Sequence, residues 1–222
     1  TATGSVVDSI VISGASFTNS AGSGALAPGG GRWLVYSANP AGNAFGGITS
    51  WNQAIWGRSY PAAVSETGNR YVFSDVGSVT IATTNASKTY GDLPINLSAN
   101  YTLSGKPVEA ATYGNVYLNS AVSDIFLTGP TIASSGNTAT ANVGGGGGAG
   151  GAYSITSTGT ANTGYSLTFA NNGLLTVNKA DYTAISGAKT YDGAATFTSG
   201  QVTLTGVNSE TFNVAAMADS VN

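Results

Sequence analysis

Lys88-Thr89-Tyr90-Gly91-Asp92 returns as Lys189-Thr190-Tyr191-Asp192-Gly193, 101 residues later. That spacing matches one small β-domain of about 100 residues. Each copy is a lysine, a β-branched residue and a tyrosine running into a Gly/Asp turn. Glycine accepts positive φ there, and aspartate bonds to its own backbone. Short runs of Thr, Val, Leu and Gly follow both copies. A chain with such an internal period folds as serial β-modules.

The composition agrees. Charged residues make up 8% of the 222, far below the roughly 25% of an ordinary domain, while 41% are hydrophobic. Packed sheets are within reach, and charge-driven disorder is not expected. The net charge of −3 comes with only seven dispersed basic residues, so no phosphate-neutralising stripe exists and no nucleic-acid partner is expected. No apolar run approaches the ~20 residues of a membrane-spanning helix, and Thr1 opens without the charged and apolar regions of a signal peptide. With no cysteine, stability has to come from sheet packing. With no histidine, the commonest general base and zinc ligand are both missing.

Taken in order, Ser5 to Ile12 predicts a strand, and the small-residue segment from Ala15 to Gly22 follows it like one rung of a parallel β-helix. Pro28-Gly29-Gly30-Gly31 breaks that pattern. Arg32-Trp33-Leu34-Val35-Tyr36-Ser37 is an apolar strand closed by a turn at Asn39-Pro40. The large aromatics gather just after it, at Phe45, Trp51, Trp56 and Tyr60. Tyr71-Val72-Phe73, Val79-Thr80-Ile81, Val116-Tyr117-Leu118, Ile125-Phe126-Leu127 and residues 153–156 predict further short strands. Tyr165, Leu167 and Phe169 alternate with Ser166 and Thr168, the pattern of a half-buried strand. Asn171-Asn172-Gly173 predicts a hairpin turn into Leu174-Leu175-Thr176-Val177. The glycines of 144–151 predict a flexible surface loop. The single helix candidate is 106–111, with Pro107 at a plausible first position. After the second tyrosine motif come strands at Val202-Thr203-Leu204 and Phe212-Asn213-Val214, with another at 182–185 before it.

These features resemble the MBG (YGx-type) and YDG modules that stand in tandem in large secreted bacterial adhesins, including filamentous-haemagglutinin-like exoproteins of two-partner secretion. The likeness is densest at 26–60, 88–94, 174–180 and 189–193. It implies an all-β chain: the end of a parallel β-helix over 1–31, an aromatic-rich linker over 32–83, an MBG-like module over 84–180 and the start of an incomplete YDG-like module over 181–222. Each module would be a small β-sandwich or a β-grasp. The implied location is secreted, on the bacterial cell surface, with an outer-membrane transporter as partner during export and neighbouring modules of the same chain as lasting partners. Absence of cysteine suits passage through such a pore unfolded.

Two functions remain open. The first is a structural stalk that holds an adhesive region away from the cell and supports cell adhesion or biofilm attachment. The second is a glycan- or exopolysaccharide-binding module whose platform would be Trp51, Trp56 and Tyr60, since aromatic faces suit the C–H faces of sugars. Exposure of those three rings separates the two. A more remote third is a surface-layer scaffold that associates through free strand edges. In the structural reading, Lys88, Tyr90, Gly91, Asp92, Lys189, Tyr191, Asp192 and Gly193 are fold determinants, with each tyrosine ring covering the end of its module. Asn85, Asn96 and Asn100 begin N-x-Ser/Thr sequons and are candidate glycosylation sites. Asp75, Asp92, Asp124 and Asp192 lack calcium-loop spacing and read as turn residues. Glu66 and Glu109 have nothing that pairs them as glycosidase carboxylates, and no lysine follows the glycine run as a phosphate loop needs. No catalytic role, cofactor or metal is expected.

Overall fold

The computed structural model describes residues 7–194 and 196–217. The architecture is mostly β. The strands in chain order are β1 (Asp8–Ser13), β2 (Arg32–Ser37), β3 (Arg70–Phe73), β4 (Gly77–Thr83), β5 (Ala86–Thr89), β6 (Tyr101–Ser104) and β7 (Phe126–Ala133). They continue as β8 (Tyr153–Ser154), β9 (Thr156–Ala161), β10 (Tyr165–Ala170), β11 (Leu174–Asn178), β12 (Ala184–Gly187), β13 (Thr196–Thr205) and β14 (Thr211–Met217). Ser5 and Val6 of the first expected strand lie outside the described residues.

Two compact units share these strands, and the chain passes back and forth between them. One holds 1–83, 101–132 and 157–171. The other holds 84–100, 133–156 and 172–222. The chain first crosses between the units after Thr83, where the expected 32–83 segment ends. The MBG-like stretch 84–180 contributes to both units, and the expected 1–31 and 32–83 segments fall within one of them.

In the first unit, β1, β2 and β3 form a parallel sheet with β2 in the middle. A central parallel strand is covered on both faces, so its interior is apolar: all six residues of β2 are buried, with Trp33 to Tyr36 between the polar ends Arg32 and Ser37. Strand alternation sorts them. Trp33 and Val35 join Phe17, Phe45, Ile48, Trp56, Tyr71, Phe73 and Tyr117 in the main core, while Leu34 and Tyr36 join Ile55, Val64 and Val72 in a second one. Tyr71 is the hub of the main core, edge-on to Trp33 at 5.0 Å and to Phe45 at 4.8 Å. Its hydroxyl donates to the carbonyl of Ile48 (2.8 Å), and burial pushes this phenol well above its ordinary pKa.

Parallel pairing continues past the strand ends. Ala38 N–H donates to the carbonyl of Ala15, Asp75 N–H to that of Ala38, and Thr18 bridges Ala44. The β-helix expected over 1–31 is not what these residues alone make. Among the described residues, a single parallel strand there stacks on 32–37 in a small sheet, with no closed barrel or coil of full strands around it.

Arg32, the first residue of β2, is a fully buried cation. Its Nε meets Asp8 Oδ1 at 2.5 Å, its Nη2 reaches the carbonyl of Val64 at 2.6 Å, and its Nη1 bonds to the carbonyl of Glu66. The planar fork fits that set in a way an ammonium could not, and it clamps the 64–66 loop over the second core.

The same unit contains the sheet β10-β4-β6, with β10 parallel and β6 antiparallel to β4. Val79 and Ile81 face inward against Ile125 and Phe126, with Leu167 and Phe169 beside them. The expected alternation of β10 is present. The hairpin expected at Asn171-Asn172-Gly173 is absent, because β10 pairs with β4 while β11 pairs with β5 and β8. Asn171 instead accepts from Ser157 N and Oγ. Val116-Tyr117-Leu118 is not a strand either. It follows a 3-10 turn (Ala110–Tyr113), and only Leu118 makes an isolated parallel bridge, to Gln53. Ile125 closes a single helical turn (Val122–Ile125), so β7 begins one residue later than expected. The helix candidate at 106–111 resolves into two 3-10 turns.

In the second unit, β11 lies between β5 and β8 and buries Leu175 and Val177. The glycine run is exposed but not loose: Gly146 N–H donates to Gly151 O (2.8 Å) and Gly148 N–H to Ala152 O (2.9 Å). A side chain at 146 would collide with the Ala152 carbonyl, and one at 151 with the Gly144 backbone. Glycine is there because the loop folds tightly on itself, correcting the expected flexible tip. Finally, β12, β13 and β14 make an antiparallel sheet whose described residues are mostly exposed, with Val202 buried.

The interleaving makes a testable statement. A fragment of residues 1–83 loses Ala110, Val116 and Tyr117 from the main core, about 1.5–3 kcal/mol for each large side chain. It is expected to give a collapsed amide spectrum and no cooperative melt. A well-dispersed spectrum from that fragment would show that the first 83 residues form their own domain.

Candidate functional site

The three aromatics proposed as a sugar platform do not come together. Trp56 is 4% exposed and packs on Phe73 (4.9 Å between centroids), leaving its Nε1 without a protein hydrogen-bond partner. Trp51 is 68% exposed, on a backbone held at φ +58°, and lines a shallow cavity with Leu26, Pro28 and Trp33. Tyr60 stands edge-on to Tyr36 at 5.6 Å and borders a different hollow with Ser13 and Ser59. The reason lies in strand geometry: the bridge of Ile55 to Val72 turns the next residue, Trp56, inward.

The repeated motif, in contrast, is a built structure in both copies. Lys88 lies in β5 and is 4% exposed. Its Nζ donates to the main-chain carbonyls of Asp92 and Thr138, both at 2.6 Å. Asp92 returns a bond from Oδ2 to Thr89 N–H at 2.9 Å, and Gly91 sits at φ +89°. A buried ammonium is costly unless its donors are met; here carbonyls meet them and close the turn.

Lys189 does the same job. Its Nζ donates to the carbonyls of Ala194 (2.8 Å) and Thr196 (2.9 Å) and pairs with Asp192 at 2.6 Å, 5.8 Å from the Phe197 ring centre. The bond from Lys189 is the main cause that holds the Asp192 carboxyl below its ordinary pKa.

The tyrosines differ. Tyr90 is half-buried, and its hydroxyl donates to Glu210 Oε1 in the turn between β13 and β14. Gly91 lies so close to Val207 of that turn that a side chain there would collide with it, and Asn208 Nδ2 reaches the carbonyl of Ala139 at 3.3 Å. Tyr191 is 91% exposed, which corrects the expectation that each ring covers its module. A cavity of about 560 Å³ beside Tyr90 is bordered by Lys179, Asp181, Tyr182 and Phe212.

A longer repeat than the tyrosine motif was there to be found. Thr102-Leu103-Ser104-Gly105 followed at 109 by glutamate matches Thr203-Leu204-Thr205-Gly206 followed at 210 by glutamate, at the same offset of 101. They share one turn bond, Val108 N–H donating to Gly105 O (2.9 Å) and Ser209 N–H to Gly206 O (3.1 Å), but Gly105 sits at φ +122° before a 3-10 turn whereas 206–210 joins β13 to β14 as a hairpin. The glutamate closes each one, Gly105 N–H bonding to Glu109 Oε1 (2.8 Å) and Gly206 N–H to the Glu210 carbonyl (2.7 Å).

The remaining candidates occupy ordinary roles. Asp75 pairs with Lys106 at 3.3 Å, and Asp124 caps Ala121 N–H at 3.1 Å. Glu66 pairs with Arg58 at 3.0 Å; desolvation raises its pKa, but a backbone bond and Arg58 outweigh that and hold it low. No cluster of three or more metal-ligating side chains occurs among the described residues. Asn96 is exposed in an Asx turn closed by Ser98 N–H, whereas Asn85 Oδ1 holds Leu174 N–H and the Nδ2 of Asn100 is tied to the carbonyl of Asn85. Of the three sequons, Asn100 is the one whose Nδ2, the atom a glycan would take, is already bonded to main chain.

Comparison with known protein families, with curated proteins and with solved structures finds no match.

The Tyr90 contact carries a pH signature. Glu210 is held below its ordinary value of 4.5, first by the bond from Tyr90. A depressed carboxyl stabilises the docked turn above that ordinary value, and the contribution fades as pH falls through the lower folded value. In Tyr90→Phe, the Glu210 carboxyl followed by carbon NMR should titrate back toward 4.5. An unchanged midpoint would mean the hydroxyl does not hold that carboxylate.

Proposed function

We propose that this chain is a structural segment of a secreted bacterial surface adhesin, a stalk of serial β-modules that supports cell adhesion or biofilm-matrix attachment. The observation that carries this reading is the repeated lysine turn. In both copies the repeated lysine points into the protein's own turn, with Lys88 and Lys189 each bonded to main-chain carbonyls and Lys189 also to Asp192. A ligand-binding repeat would keep those donors for the ligand.

The parallel stacking of β1, β2 and β3 supports a finer reading, that the N-terminal part continues a parallel β-helix into the modules. Secretion and a surface location rest on the resemblance to exported adhesin modules. Glycan binding through Trp51, Trp56 and Tyr60 loses its platform, because Trp56 is buried and the two exposed rings border separate hollows.

Two measurements on the full chain test the stalk. Pulled from its two ends in a single-molecule instrument, it should hold and then rupture in abrupt steps; smooth extension at low force would sink the reading. A panel of glycans and exopolysaccharides should show no saturable binding. Binding that Trp51→Ala or Tyr60→Ala abolishes would replace the stalk with a lectin-like module.

A further inference from the structure

The stretch 77–178 opens with β4 and β5 and closes with β10 and β11, and its opening strands are bonded to its closing ones. In the first unit, β10 lies parallel on β4 over six residue pairs, from Tyr165 opposite Gly77 to Ala170 opposite Ala82. In the second, β11 lies parallel on β5 over four, from Leu175 opposite Ala86 to Asn178 opposite Thr89. Further bonds tie the ladders. Gly77 N–H donates to Gly164 O (2.8 Å) at the start of the first, and Ser166 Oγ donates to Ser78 Oγ (3.0 Å). In the second, Leu174 N–H donates to Asn85 Oδ1 (2.9 Å) at one end and Tyr90 N–H to Asn178 O (2.9 Å) at the other. Val79 and Ile81 of β4 and Leu175 and Val177 of β11 are buried, so water has poor access to compete for the neighbouring ladder bonds.

We propose that these two parallel ladders are a mechanical clamp: tension along the chain enters through β4, leaves through β11 and loads both ladders in shear. The proposal rests on the stalk reading and names the bonds that would carry its load.

The direction of pull decides how a ladder fails. Tension draws β4 and β5 back toward their N-terminal ends and β10 and β11 forward toward their C-terminal ends. Parallel partners pulled in this way slide along one another, and every residue pair is strained at once. Neither ladder is bypassed when the other gives way, because β4 runs on into β5 through Thr84-Asn85 and β10 into β11 through residues 171–173. While either holds, residues 91–164 lie in a closed loop that bears no tension, and the Tyr90-Gly91-Asp92 turn stays folded.

The same strand offers the opposite geometry. β4 pairs antiparallel with β6, Thr80 facing Ser104 and Thr83 facing Tyr101. Pulling the start of β4 away from the end of β6 opens that ladder one pair at a time. Each pair opened by peeling frees about 6.6 Å of chain, two residues of about 3.3 Å, whereas sliding has to open all its pairs within about one 3.3 Å step. Similar bonds therefore withstand a several-fold larger force in shear than in peeling. Forced rupture follows the barrier to unfolding and not the equilibrium stability, so the two geometries differ in one and the same folded chain.

The chain has no cysteine, which lets pulling handles be placed on chosen pairs of residues. Val76, Ser104, Asn172 and Lys179 are all exposed. The full chain carrying Val76→Cys and Lys179→Cys is stretched in shear, and the full chain carrying Val76→Cys and Ser104→Cys is stretched in peeling, at one loading rate. The shear pair should rupture at a force roughly threefold or more above the peeling pair, with no lengthening between the handles before that event. Asn172→Cys in place of Lys179→Cys loads β4 against β10 alone and should also exceed the peeling pair. Equal forces in the two geometries, or gradual lengthening between 76 and 179 before rupture, would overturn the clamp. The stalk reading fails on a different readout, smooth extension of the whole chain from its two ends. A chain that ruptures in steps from its ends yet shows equal forces here is a stalk whose load is carried by other bonds.

Discussion

A buried ammonium bonded to its own main chain is the constraint on which the repeat depends. Lys88 leaves water almost completely, which costs several kcal/mol unless its donors are satisfied, and the carbonyls of Asp92 and Thr138 satisfy them. Thr138 is 50 residues further along, so the bond ties a local turn to a distant loop. Once that turn is closed, Gly91 and Tyr90 are presented in a fixed attitude for the turn carrying Glu210. Lys189 repeats the first half of this arrangement without the second. In the first copy, the lysine closes the turn and the tyrosine meets Glu210; in the second, the tyrosine is exposed.

The first unit rests on a different kind of constraint. β2 is central, parallel and buried on both faces, so it works only if partners on both sides are present. β1 and β3 supply the edges. Tyr117, carried back from beyond residue 83, completes the aromatic cluster, and its hydroxyl donates to Lys106 O at 3.2 Å. Arg32 solves the polar problem at the start of that strand by taking carbonyls that would otherwise be buried unmet. A chain so short of charge uses its few cations this way: Arg32, Lys88 and Lys189 all hold backbone.

How much of this could be read in advance depended on range. Residues 32–37 were legible as a strand because the apolar run Trp33 to Tyr36, set between turn residues, has few other uses, and β10 was legible from its alternation. The pairing of those strands was not. Asn171-Asn172-Gly173 carries every local mark of a hairpin, yet β10 chooses β4, with Ser166 opposite Ser78; local turn chemistry says nothing of that partner. Burial of Trp56 was one of the two outcomes left open for it, whereas exposure of Tyr191 went against expectation; each is set by elements distant in sequence. The glycines of 144–151 misled differently: composition reads as looseness what is in fact close approach of backbone to backbone. The Gly-x-x-x-Glu repeat was fully present in the sequence and overlooked, because its residues are common and only the shared offset distinguishes them. The lysine of each motif was recognised as part of the fold; that it would be buried and spent on carbonyls needed Thr138 in view.

The most direct measurement is equilibrium denaturation of Lys88→Met, which keeps an unbranched stem out to Cε and removes the ammonium with its charge and donors. If this lysine holds the turn, the carbonyls of Asp92 and Thr138 lose their partner and the variant should lose about 1–3 kcal/mol, seen as an earlier unfolding midpoint. A Lys88→Met chain as stable as the parent would contradict it, and would return the repeated motif to the surface as a site free to meet a ligand.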